Sequence, residues 1–147
     1  YDNMGLENVH DRFATVLVSD AGAPLGIEED ASSLWHKQTL RVLDIVTEQT
    51  RALRKRQLVA DLQAQKMKGA YWGVTTAIGD YGVADAMCRD TPVTDGLRAI
   101  RTRLNPFTDE EQGRLINWGY ALCDAALKRY LPGDYGPARW PAPDQAL

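Results

Sequence analysis

The run Ala14-Thr15-Val16-Leu17-Val18, closed by Ser19-Asp20-Ala21-Gly22-Ala23-Pro24, decides the fold class. Apolar and β-branched residues in an unbroken row read as a buried strand, and the small residues, Gly and Pro after them as a loop. An unbroken row, rather than an alternating one, predicts a strand covered on both faces, as in an α/β sheet.

Working outward, Glu28-Glu29-Asp30-Ala31-Ser32-Ser33 is an acidic cap region. It places a helix start at Leu34, with Asp30, Ser32 or Ser33 as N-cap and carboxylates near the positive helix end. The helix is expected to run to about Gln65, free of Gly and Pro, and to end at Gly69. Lys37, Arg41, Asp44, Glu48, Arg51 and Lys55 recur at spacings of four and three and define a polar stripe. Leu40, Val42, Leu43, Val46 and Leu53 lie away from that stripe and are expected to pack inward. A second strand is expected over 70–78, where Ala70-Tyr71-Trp72-Gly73-Val74-Thr75-Thr76-Ala77-Ile78 is rich in aromatic and β-branched residues. Gly79-Asp80-Tyr81-Gly82 turns the chain, 83–92 reads as loop, and a short helix is expected over Thr94–Leu104.

The last helix carries the clearest local signal. Thr108-Asp109-Glu110-Glu111 fits a capping box, Thr108 as N-cap and Glu111 reaching back. Leu115, Gly119, Leu122 and Ala126, widened by Ile116, Cys123, Leu127 and Tyr130, mark its inner side. Glu110, Arg114, Asn117, Asp124 and Lys128 are expected off it. The helix should stop near Leu131, before Pro132-Gly133. Residues 132–147 form a Pro/Gly-rich tail, expected to be extended and to wrap over the body formed by 1–131. Two strands do not make a stable sheet alone. Either they pair with another chain, or the rest of the sheet lies elsewhere.

Composition narrows the function classes. A chain of 147 residues is one domain's worth, able to bury about 68–70% of its unfolded surface. With 44% hydrophobic and 25% charged residues it has globular composition. A net charge of −3 excludes the basic footprint of a nucleic-acid binder. No apolar run approaches the roughly 20 residues of a membrane span. Two cysteines, far apart, exclude a disulfide-dense scaffold and favour a reducing, cytoplasmic setting. Tyr1-Asp2-Asn3-Met4-Gly5 lacks the basic and apolar regions of a signal peptide. Because position 1 is not Met, the chain is expected to be a processed product, a partial gene or an excised piece.

Few side chains offer chemistry of their own. Ser19 follows the first strand as a nucleophile elbow would. The elbow needs Gly two positions before and after, and here those positions hold Leu17 and Ala21. His10, His36, Cys88 and Cys123 have no metal-ligand spacing, and Cys123 reads as core. Ala21-Gly22-Ala23-Pro24-Leu25-Gly26 lacks the Lys of a phosphate loop and leads into Glu28-Glu29-Asp30. Arg51-Ala52-Leu53-Arg54-Lys55-Arg56 is the densest basic run. It reads as a solvated helix face or as a patch for an anionic membrane surface.

Several blocks resemble one family. Tyr1-Asp2-Asn3-Met4-Gly5-Leu6-Glu7 resembles the segment directly after the Asp-Gly-Gly motif in bacterial patatin-like phospholipases. Val16–Gly22, Gln38–Asp44, Arg54–Leu58 and Gly69–Gly73 resemble later blocks, and Ile116–Tyr120 and Cys123–Ala126 extend the likeness over about 1–131. The resemblance implies a three-layer α/β/α sheet, of which this chain would be the helix-rich C-terminal portion. It implies hydrolysis of lipid acyl esters by a Ser–Asp dyad, with no metal or organic cofactor. The family's serine sits in Gly-x-Ser-x-Gly, its aspartate in Asp-Gly-Gly or Asp-Gly-Ala, and a Gly-rich loop forms its oxyanion hole. None of these motifs is present here. Asp95-Gly96 falls in an expected helix and does not take the role. The dyad is therefore expected upstream of Tyr1, with Asp2 and Asn3 near the active-site floor. The resemblance implies a lipid or acyl-ester substrate; the basic run adds a peripheral membrane contact, and the two-strand deficit leaves an oligomer open. The contrasting reading is a helical interaction module that adds strands to a partner's sheet.

Overall fold

The structure is a computed structural model that describes residues 5–9, 12–22, 26, 33–101 and 105–147. The elements are α1 (Leu6–Val9), β1 (Thr15–Asp20), α2 (Trp35–Gln63), β2 (Lys68–Gly73), α3 (Pro92–Arg98) and α4 (Asp109–Tyr130), with a 3-10 turn at Ile78–Tyr81. The chain is α/β, and β1 and β2 form a two-stranded parallel sheet. Lys68 N–H donates to Ala14 O at 3.1 Å and Val74 N–H to Asp20 O at 2.9 Å, so the register runs the same way at both ends.

β1 corrects the expectation of a strand covered on both faces. Burial alternates along it: Val16 and Val18 are buried, Leu17 is 50% exposed and Ser19 exposed. β2 starts two residues before the expected strand and stops at Gly73. There Thr76 N–H bonds Gly73 O at 2.9 Å and turns the chain, so Val74–Ile78 is not strand.

The chain divides into two compact units. The first comprises Tyr1–Val16 and Pro24–Lys68, the second Leu17–Ala23 and Gly69–Leu147. The division passes through both strands.

In the first unit α2 departs from its sequence reading at both ends. Leu34 is the N-cap and no side chain caps the helix. Ser33 therefore does not fill that role, and Asp30 and Ser32 lie outside the described residues. At the other end Gln65 takes a left-handed φ of 55°. Gln65 N–H bonds Leu62 O at 3.1 Å and Lys66 N–H bonds Asp61 O at 3.0 Å, the paired bonds of a Schellman stop. A Gln holds the place that Gly usually takes, while Gly69 lies inside β2.

The expected inner face of α2 is also overturned. Leu40, Val42, Leu43, Val46 and Leu53 are all 56–61% exposed. The buried residues of the helix are Leu58 and Asp61. Part of the polar stripe is instead half-buried. Arg51 and Glu48 pair there at 2.8 Å, and Arg41 Nη2 donates to Gly26 O at 2.5 Å. Lys37, Asp44 and Lys55 of the stripe are exposed, whereas Ile45, Val59 and Leu62 are half-buried and Leu58 is buried; nothing among the described residues covers Leu40, Val42, Leu43, Val46 and Leu53.

The second unit holds the core. Trp118, Ala121, Leu122, Ala125 and Ala126 of α4 cluster with Ala70, Ile78, Tyr81 and Leu97. The alanines let neighbouring backbone approach, and the Trp118 indole supplies the largest buried area. The expected inner stripe is only half right: Leu122 and Ala126 are buried, but Ile116 and Tyr130 are each 55% exposed. Asn117, expected off the core, is buried. α4 begins as expected: Thr108 accepts from Glu111 N–H, and Glu111 accepts from Thr108 N–H at 2.7 Å. α3 starts two residues before expectation and ends at Arg98. A capping box between Thr91 and Thr94, with Pro92 in the first turn, fixes its start.

Residues 132–147 contain no helix or strand. Their end returns to α4, where Trp140 and Leu147 pack against the core. Asn117 Nδ2 donates to Ala142 O and Gln145 O, while its Oδ1 accepts from Ala142 N–H at 3.0 Å.

Candidate functional site

In open parallel sheets, ligands bind beyond the carboxyl ends of the strands. Here that edge is built around Asp20, the last residue of β1. Its Oδ1 accepts from Gly22 N–H at 2.9 Å, and its Oδ2 accepts from the Tyr71 hydroxyl at 2.7 Å. Gly73, at the end of β2, lies under this pair. A Cβ there would stand 3.2 Å from the Tyr71 hydroxyl and 3.5 Å from Asp20 O.

The loop after β2 is held from three directions. Trp118 Nε1–H donates to Val74 O at 2.9 Å, and Arg98 Nε–H donates to Thr75 O at 3.0 Å. The Asp90 carboxylate accepts from Ile78 N–H and Gly79 N–H, both at 2.9 Å. The buried Tyr81 hydroxyl is pushed up to about 12, chiefly by loss of water, against a lowering hydrogen bond with Thr76. It stays a neutral phenol. The strand edge is thus rigid and hydrogen-bonded, with the Asp20 carboxylate and the Tyr71 phenol engaged on each other. Among the described residues it holds no activated nucleophile.

A cleft lies between α3 and α4, about 510 Å³ in volume. Val93, Leu97 and Ile100 give it an apolar wall; Arg101, Glu111, Glu110 and Arg114 give it a charged one. These charges are already paired, Arg101 with Glu111 at 2.5 Å and Arg114 with Glu110 at 2.8 Å. The Arg101 guanidinium and the Thr108 N–H hold the Glu111 carboxyl down to about 2. Arg101 also lies over the Phe107 ring, 4.6 Å from its centroid. The volume suits a small ligand. Sequence reading missed the cleft because it arises from how α3 and α4 pack, not from a motif.

The sequence-derived candidates do not come together. Asp2, Asn3 and His10 lie outside the described residues. Ser19 is exposed near the end of β1. His36 is exposed and stands edge-on to Trp35. Cys88 and Cys123 are half-buried free thiols. Burial pushes Cys88 up to about 11, aided by Asp90, and raises Cys123, aided by Asp124, so both stay protonated at neutral pH. Asp95 pairs with Arg98 at 3.0 Å within α3. In the basic run, Arg51 is engaged by Glu48. Among the described residues no group of three or more His, Cys, Asp or Glu is placed to hold a metal ion. None of their helices is long and apolar enough to cross a membrane.

No protein-family model matches the chain, and no curated protein or solved structure matches it.

Proposed function

We propose that this chain is the C-terminal portion of a patatin-like serine acyl hydrolase, and that its role is structural. In the complete enzyme a three-layer α/β/α sheet would carry a serine and an aspartate upstream of Tyr1. The aspartate assists the serine in attacking the ester carbonyl, an acyl-enzyme forms, and water releases the fatty acid. Asp2 and Asn3 would stand beside the dyad aspartate at the floor of the site. This portion supplies strands, packing helices and part of the pocket wall. The substrate is a lipid or other acyl ester, no cofactor takes part, and the enzyme works in the cytoplasm at the membrane periphery.

The observation that supports this reading is the parallel pairing of β1 and β2, two strands joined through a long helix. Parallel strands occur in larger sheets covered on both faces, and two alone are too few. Leu17, half exposed on β1, marks a sheet face with no cover among the described residues. The blocks that resemble the family fall on β1, α2, β2 and α4.

The test is turnover of a short-chain nitrophenyl ester by the purified 147-residue chain. No hydrolysis above buffer is expected. Hydrolysis that Ser19→Ala abolishes would overturn the reading.

A further inference from the structure

Two residues of α4 suit a groove better than a helix. Gly113 and Asn117 lie about one turn apart, and both are buried. Glycine inside a helix is unfavourable relative to alanine. A Cβ at 113 would stand 2.4 Å from Gln145 Cγ and 3.1 Å from Gln145 Cβ, so the tail passes where glycine alone leaves room. Asn117 spends its side-chain amide on the tail backbone. Its Nδ2 donates to Ala142 O at 2.8 Å and Gln145 O at 2.6 Å, and its Oδ1 accepts from Ala142 N–H at 3.0 Å. Arg114 Nε–H adds a bond to Ala146 O at 3.2 Å.

What lies in the groove is a preformed turn. Gln145 N–H bonds Ala142 O at 3.1 Å and closes Ala142-Pro143-Asp144-Gln145, with proline at the second position, where β-turns favour it. Asn117 thus holds both ends of one turn. Trp140 and Leu147 flank it and pack against the core. The four hydrogen bonds from α4 all go to main chain, so the groove reads the shape of the turn rather than its side chains. Residues 132–139 behave as a tether. All but Ala138 are exposed. Among the described residues their hydrogen bonds run from the Tyr135 hydroxyl to Leu131 O and from Gly136 N–H to Asp134 Oδ1.

We propose that this face of α4 is a peptide-binding groove and that Trp140–Leu147 is its tethered ligand. A free peptide of the same chemistry, an aromatic residue followed by a proline-initiated β-turn, takes the groove when the tail leaves. Pro143 restricts the free segment and so reduces the entropy that the turn loses on docking. The tether holds the segment at a local concentration of about 1 mM, so in the intact chain the tail keeps the groove closed. Groove and tail both lie in the second unit, and neither depends on the acyl-hydrolase reading.

The test uses the full chain with the recognition sequence of a site-specific protease inserted between Gly136 and Pro137, both exposed. After cutting, the tail should co-elute with the body on native size exclusion at about 100 µM, with helical circular dichroism retained. A fluorescein-labelled peptide of the sequence 138–147 should then displace it. Trp140→Ala in that peptide should abolish binding, and Pro143→Gly should weaken it by about 2- to 5-fold. In the body, Asn117→Ala should weaken binding by about 5- to 150-fold. Gly113→Ala should weaken it by about 5- to 150-fold as well, although alanine favours the helix itself. Release of the tail on cutting, or loss of helical signal on cutting, would overturn the proposal, the second because the tail would then be part of the core rather than a ligand. So would a scrambled peptide that competes equally, or unchanged binding by the Gly113→Ala body.

Discussion

The Nε1–H of Trp118 donates to the carbonyl of Val74 at 2.9 Å, and so ties the centre of α4 to the first residue after β2. Trp118 is fully buried, so this one side chain both fills the core and fixes the loop. Trp118→Phe keeps most of the volume but leaves the Val74 carbonyl without its donor, and should cost about 1–3 kcal/mol. Trp118→Ala should cost about 3–5 kcal/mol. Urea midpoints check both. No loss in Trp118→Phe would mean that the hydrogen bond contributes nothing, and equal losses in the two variants that the ring volume contributes nothing beyond it.

Asn117 performs the matching task at the C-terminal end. Its amide makes three hydrogen bonds to the backbone of Ala142 and Gln145. Asn117→Ala should free residues 142–147 and cost about 1–3 kcal/mol, since polar backbone groups lose their partners. Hydrogen exchange at the Ala142 amide and limited proteolysis after residue 132 should both accelerate. Unchanged protection would show that Trp140 and Leu147 hold the tail without help.

Gln65 terminates α2 in a left-handed conformation that favours glycine. Gln65→Gly should therefore stabilise the chain, by about 0.5–1 kcal/mol after the extra unfolded-state entropy of glycine is subtracted. Thermal unfolding is the measurement. A lowered midpoint would contradict the helix stop described above.

Glu111 carries a pH dependence. Its carboxyl is lowered from 4.5 to about 2, first by Arg101 and then by the Thr108 N–H. A lowered folded-state value means stability that is present above pH 4.5 and is lost as pH falls towards 2. α4 should fray from its N-terminus across that window, read by NMR titration of Glu111 and the Thr108 amide. Glu111→Gln should flatten this part of the profile. A Glu111 midpoint near 4.5 would contradict the pairing.

What is legible in the sequence is local chemistry. The Thr108–Glu111 capping box, the stop at Leu131 and the two strand cores follow from residues adjacent in the chain, and the structure places them within a few positions. What is not legible depends on what lies opposite. An apolar stripe such as Leu40, Leu43, Val46 and Leu53 reports only that one side of a helix is apolar, not that anything covers it. Asn117 reads as an outward polar residue because its partners, Ala142 and Gln145, lie on a tail without regular structure. The α3–α4 cleft has no signature, because the Arg101–Glu111 pair joins residues ten apart across a loop.

The central claim is that the catalytic dyad is encoded ahead of this chain, and the coding sequence immediately upstream of the Tyr1 codon tests it most directly. The account predicts Asp-Gly-Gly or Asp-Gly-Ala within a few codons of Tyr1, and Gly-x-Ser-x-Gly in frame further upstream. A start codon directly before Tyr1, or an open frame upstream that lacks both motifs, would contradict it.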